Sequence, residues 1–107
     1  MITVTTVLQR VHGLDEPTLW SWVAQDWVRP ARRGGETLFE EIDIARLRLI
    51  LELRDEMEVG ETAMPVVLSL LDQLHASRRH MRRLCEMLDA AGPEDRIRDI
   101  LGRLGGR

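Results

Sequence analysis

Apolar residues recur along most of this chain with helical spacing, interrupted by a few glycine-centred breaks. Val4-Thr5-Thr6 leads into Val7, Leu8 and Val11, and a threonine ahead of such a cluster reads as a helix start. Gly13 ends that helix. Asp15 is a good N-cap for a second helix that carries Pro17 in its first turn and runs to about Gln25. In it, Leu19, Trp22 and Val23 have the i, i+3, i+4 spacing of a core face, and Trp20 falls off that face. Two short helices joined around a glycine form a helix-turn-helix unit. Trp27 follows and is expected to pack under a small two-stranded wing. Gly34-Gly35 marks the turn of that wing, because both glycines accept positive φ.

From Glu40 to Glu58 the apolar positions cover more than one face of a helix: Ile42, Ile44, Ala45, Leu47, Leu49, Ile50, Leu51, Leu53 and Met57. A central helix is expected, with Glu40, Glu41 and Asp43 where the helix dipole favours acids. Gly60-Glu61-Thr62 breaks the pattern, and a helix from Thr62 to about Ala91 follows, roughly 45 Å long at 1.5 Å per residue. Val67, Leu71, Leu74, Arg78, Met81, Cys85 and Leu88 fall at alternating four- and three-residue steps, the seam of a coiled coil with one arginine in it. Gly92-Pro93 ends this helix, and Glu94 to Leu104 forms a last amphipathic helix bearing Ile97, Ile100, Leu101 and Leu104. The chain therefore reads as one mainly α domain: helix-turn-helix and wing over 1–39, central helix 40–59, long helix 62–91 and C-terminal helix 93–104. The seam favours a homodimer through the long helix. The competing reading folds the last helix back over the seam and leaves a monomer.

Composition narrows the function classes. With 107 residues there is room for one modest core and no separate cofactor domain. The single Cys excludes an internal disulfide. The longest uncharged stretch, Thr62–Leu71, is about half a membrane span, and the first residues lack the basic and apolar regions of a signal peptide. A cytoplasmic protein without membrane association is expected. The histidines His12, His75 and His80 do not fall on one helix face with each other or with Cys85, so no metal site is expected. Cys85 on an apolar seam reads as a small buried hydrophobe. Without a phosphate loop or a nucleophile–base grouping, no enzyme activity and no cofactor are expected.

Net charge is −3, but it is unevenly spread. Residues 1–38 hold four arginines and four acids, residues 39–72 three arginines and nine acids, and residues 73–107 eight arginines and five acids. The second helix of a helix-turn-helix ordinarily needs cations for phosphates and base edges. Here it runs Glu16 to Gln25 with no arginine, and the chain has no lysine, so DNA binding is disfavoured despite Arg29, Arg32 and Arg33 near the wing. Trp20 is either an exposed anchor for a protein partner or a residue packed on the wing or central helix.

Gly13-Leu14, Thr18-Leu19, Trp27-Val28-Arg29-Pro30, the Gly-Gly turn, Phe39 and Asp43-Ile44-Ala45-Arg46-Leu47-Arg48 together resemble the MerR winged-helix domain. That family places a DNA-contacting Arg and Tyr where this chain has Trp20 and Ser21, so those contacts do not carry over. Leu53 to Val59, Val66 and Leu68-Ser69-Leu70-Leu71-Asp72 narrow the likeness, which resembles the CbpM chaperone modulators over residues 4–90. The resemblance implies binding to the J-domain of a CbpA/DnaJ-like co-chaperone and restraint of its work with a DnaK-type chaperone. It also implies an antiparallel dimer through the long helix. J-domains present a basic helix, which Glu52, Asp55, Glu56 and Glu58 complement, with Trp20 as a further contact; the same acids also read as a solvated helix face. The alternative is a MerR-like transcriptional regulator.

Overall fold

The computed structural model describes residues 1–91 and 102–103. The expected C-terminal helix over 93–104 lies for the most part outside them. The described elements are β1 (Ile2–Thr3), α1 (Val4–Arg10), α2 (Glu16–Ala24), β2 (Ala31–Arg33), β3 (Glu36–Phe39), α3 (Glu41–Asp55) and α4 (Met64–Ala91). The chain divides into two compact units, Met1–Val66 and Val67–Arg107.

In the first unit the wing is a three-stranded antiparallel sheet of order β1-β3-β2, one strand more than expected. Ile2 pairs with Phe39 and Thr3 with Leu38, a contribution of two residues that leaves no periodic signal in the sequence. Arg33 pairs with Glu36 across Gly34-Gly35, whose φ values of 59° and 80° match a two-residue hairpin turn of the type that follows strand twist. Thr3 also caps α1 by accepting from the Thr6 N–H at 3.4 Å, so the helix begins three residues earlier than the Val4-Thr5-Thr6 signal suggested. Gly13 sits at φ +88° in the turn to α2. Asp15 caps α2, its Oδ1 accepting from the Thr18 N–H at 2.9 Å, and Pro17 occupies the first turn, where a missing N–H costs nothing.

The end of α2 is a Schellman motif. Trp27 N–H donates to the Trp22 carbonyl at 3.0 Å and Asp26 N–H to the Val23 carbonyl at 3.1 Å. Asp26 takes the left-handed position at φ 60°, where glycine is usual. The apolar contact that accompanies such motifs is made by two indoles: the Trp22 and Trp27 rings lie 6.1 Å apart. Trp27 thus packs on Trp22, and its carbonyl accepts from Arg46 of α3.

Helix α3 buries Ile44, Leu47, Ile50, Leu51 and Leu53, a wide stripe suited to a central helix. Three residues expected on that apolar surface lie open, Ile42, Ala45 and Met57. Ile42 precedes Ile44 by two residues and so faces the other way; Met57 lies beyond the helix end. The Asp43 carboxylate accepts from the Glu40 N–H at 2.8 Å at the start of α3. Arg10 Nη1 and Nη2 each donate to a Glu41 oxygen at 2.8 Å, and Arg48 donates to the Arg10 carbonyl, so α1 is tied to α3 at both charged and backbone groups. With Val7, Val11, Leu14, Leu19, Val28 and Phe39, these residues close the core of the first unit.

Candidate protein-binding site

Three of the five residues expected to meet a partner come together. Glu52, Asp55 and Glu56 border a shallow depression of about 670 Å³ at the C-terminal part of α3, together with Arg10, His12, Arg48 and Leu51. Its charge is mixed. Arg54 forks onto Asp55, Nε to Oδ1 at 2.7 Å and Nη2 to Oδ2 at 3.3 Å, and this guanidinium holds the Asp55 carboxyl below the usual carboxylate range. Glu52 and Glu56 are exposed beside it. Glu58 stands apart, past the helix end at φ 55°, and the following N–H, of Val59, donates to the Leu53 carbonyl at 2.9 Å.

Trp20 belongs to another surface of the same unit. It is 38% exposed, and its indole N–H reaches Glu16 Oε1 at 3.3 Å. It walls a groove of about 310 Å³ between α2 and the hairpin, with Val28, Arg29, Pro30, Arg32 and Thr37 among the other walls. Trp20 thus lines the groove beside the hairpin and is neither fully buried nor fully open. Sequence reasoning missed Thr37 here. It is buried to 8% exposure, and period-two alternation in β3 was the signal available for it.

A third recess, of about 380 Å³, is floored by Trp22 and Trp27 and bordered by Pro17, Ser21, Val59 and Met64. The Arg54 guanidinium lies 5.5 Å from the Trp22 ring centroid, a cation–π contact. Asp55 holds this cation from one side and Trp22 from another.

The expected seam lies along α4. In the second unit Val67, Leu71 and Leu88 are half-buried, and Leu74, Arg78, Met81 and Cys85 are exposed. Cys85 is therefore open in the single chain, where a buried hydrophobe was expected; it stands at the edge of the apolar face. By helical periodicity the middle of that face runs through Leu70, Leu74, Ser77, Met81, Leu84 and Leu88. This stripe shares Leu74, Met81 and Leu88 with the expected seam and puts Leu70, Ser77 and Leu84 in place of Leu71, Arg78 and Cys85.

Among the described residues no helix is long and apolar enough to cross a membrane, and no group of three or more metal-ligating side chains occurs. What the structure defines is a mainly helical protein with a small three-stranded sheet. Comparison of the chain with protein-family models, curated proteins and solved structures finds no match.

Proposed function

We propose that this chain is a cytoplasmic chaperone modulator of the CbpM kind: a MerR-like winged helix-turn-helix with a long dimerisation helix. In this reading it binds the J-domain of a CbpA/DnaJ-like co-chaperone and restrains its activity. The observation that carries the reading is the convergence of Glu52, Asp55 and Glu56 on one open surface, a complement for the basic helix of a J-domain. A helix α2 whose exposed residues are Glu16, Pro17, Trp20, Ser21 and Ala24, without a cation, supports release of this scaffold from DNA.

The homodimer is part of the proposal. The stripe Leu70, Leu74, Ser77, Met81, Leu84 and Leu88 reads the same from either end, in steps of four, three, four, three and four residues. Antiparallel pairing about its centre sets Leu70 against Leu88, Leu74 against Leu84, and the small Ser77 against the larger Met81. Such small-to-large matching fills a seam without voids, and Arg78 is left at its edge.

A second reading, a MerR-like DNA-binding regulator, is favoured by Arg29, Arg32 and Arg33. These are exposed and without ion pairs among the described residues. Calorimetric titration with the isolated J-domain of the host's co-chaperone tests the first reading. Binding with micromolar or tighter affinity, weakened about tenfold or more by Glu52→Arg with Glu56→Arg, is expected. No heat at about 100 μM J-domain, well above that affinity, removes the proposal, and operator binding with a steep salt slope replaces it by the second reading.

A further inference from the structure

The groove between α2 and the hairpin is a surface of different chemistry from the acidic end of α3. Its floor is apolar, formed by Val23, Val28 and Pro30, and one wall is the part-open ring of Trp20. Two cations, Arg29 and Arg32, stand at it, exposed and without an ion pair or side-chain hydrogen bond among the described residues. Thr37 lines it too, 8% exposed, and its hydroxyl has no hydrogen-bond partner among the described residues. A buried hydroxyl left without a partner loses the free energy of its hydrogen bonds to water, and a ligand that supplies the bond recovers it.

The backbone adds a second component. β2 is an outer strand of the sheet, and all three of its residues are exposed. Arg33 and Glu36 close the two-residue turn and so exchange hydrogen bonds; the alternation of an antiparallel ladder then turns the N–H and C=O of Arg32 outward. Directly opposed residues point to the same face, so the Arg32 side chain shares a face with Thr37, the face that lines the groove.

We propose that this groove and the β2 edge take an extended acidic peptide segment of another protein. The segment adds antiparallel or parallel to β2 through the free backbone of Arg32. It places a carboxylate on Arg32 and, two residues along on the same face, an apolar side chain on Trp20 and Val28. Arg29 receives a second carboxylate, and Thr37 hydrogen-bonds within the groove. A nucleic acid fits the site less well, because the apolar floor has no use for phosphates. The proposal does not rest on the J-domain reading: it uses none of Glu52, Asp55 or Glu56, and of the contacts expected there it shares Trp20 alone.

Display of random linear peptides against the full chain tests it, with selected peptides measured by fluorescence anisotropy. Enrichment of an acidic residue two positions from an apolar one is expected. The double substitution Arg29→Glu with Arg32→Glu should weaken binding by about tenfold or more, and Thr37→Val by about threefold, while Arg79→Glu on α4 changes it by less than about twofold. Because Arg29 and Arg32 are exposed, the double variant should keep the wild-type melting temperature, which separates lost binding from lost fold. Selection without acidic enrichment, undiminished binding to the double variant, or capture of duplex DNA at this groove with a steep salt slope would each overturn the proposal.

Discussion

The two compact units differ in how much of their apolar surface they enclose. In Met1–Val66, Val7, Leu19, Phe39, Leu47 and Ile50 have no exposed surface. On α4 beyond Val66, Leu70 and Met81 are each 59% exposed and Leu74 is 44% exposed. Both regions carry apolar residues at helical spacing. In the first, three helices and a hairpin turn their stripes towards one another, so burial follows from the chain's own path. In the second, the middle of the stripe lies open along one helix. Periodicity thus states which face is apolar, and tertiary arrangement decides whether that face becomes core or docking surface.

The largest effect should come from breaking the enclosed side of this contrast. Leu47→Ala removes a side chain with no exposed surface and is expected to cost about 2–5 kcal/mol, read from the urea midpoint of unfolding. Leu74→Glu acts on the open side. It should leave the folding of the first unit within about 0.5 kcal/mol of wild type and abolish the dimer, seen as a halved mass in light scattering. A wild type that already has monomer mass at micromolar concentration ends the dimer proposal.

Smaller effects sharpen the account of how the first unit is built. Asp15→Ala deletes the α2 cap and should cost about 1 kcal/mol. Hydrogen bonds from Thr18, by side chain and backbone N–H, hold the Asp15 carboxyl below its ordinary value, and Arg10 does the same for Glu41 and Arg54 for Asp55. Carboxyls with folded values lowered in this way contribute stability that is complete above the unfolded value of about 4 and lost as pH falls through the folded value. Melting temperature should therefore be flat from neutral pH down to about 5 and drop below about 4, less steeply in Asp15→Ala. Smallest is Asp26→Gly, which relieves a left-handed residue at φ 60°. The relief exceeds the added freedom of the unfolded glycine, for a net gain of about 0.5 kcal/mol by thermal melts.

The legible parts of the fold were those written in local chemistry. Asp15 as cap, Pro17 in the first turn and Gly34-Gly35 as a tight turn each act within a few residues, and each is found as expected. β1 was not legible, because a strand of two residues has no period and owes its existence to Phe39 and Leu38 across the chain. The turn after α2 was hidden for a different reason: Asp26 occupies a position that glycine ordinarily announces. For the site, the acids of α3 were legible as a charge cluster, yet the separation of Trp20 and Glu58 from them depends on how α2 and the end of α3 are set in three dimensions. The seam was read from spacing alone, and a second run with the same four- and three-residue steps shares Leu74, Met81 and Leu88 with it. Burial does not separate the two, since Leu70 is more exposed than Leu71 but Cys85 is more exposed than Leu84.

The indole arrangement gives the protein a built-in optical readout. The chain has three tryptophans and no tyrosine, so its near-ultraviolet emission comes almost wholly from indoles. Trp22 and Trp27 are 3% and 4% exposed and 6.1 Å apart, close enough to share excitation and shielded from dissolved quenchers. Trp20 alone offers an open ring edge, and Arg29 and Arg32 at its groove concentrate anions there. Iodide therefore dims mainly the groove tryptophan, while the emission that survives belongs to the core pair. One cuvette then reports occupancy of the groove and integrity of the fold as two separable signals, with no label attached.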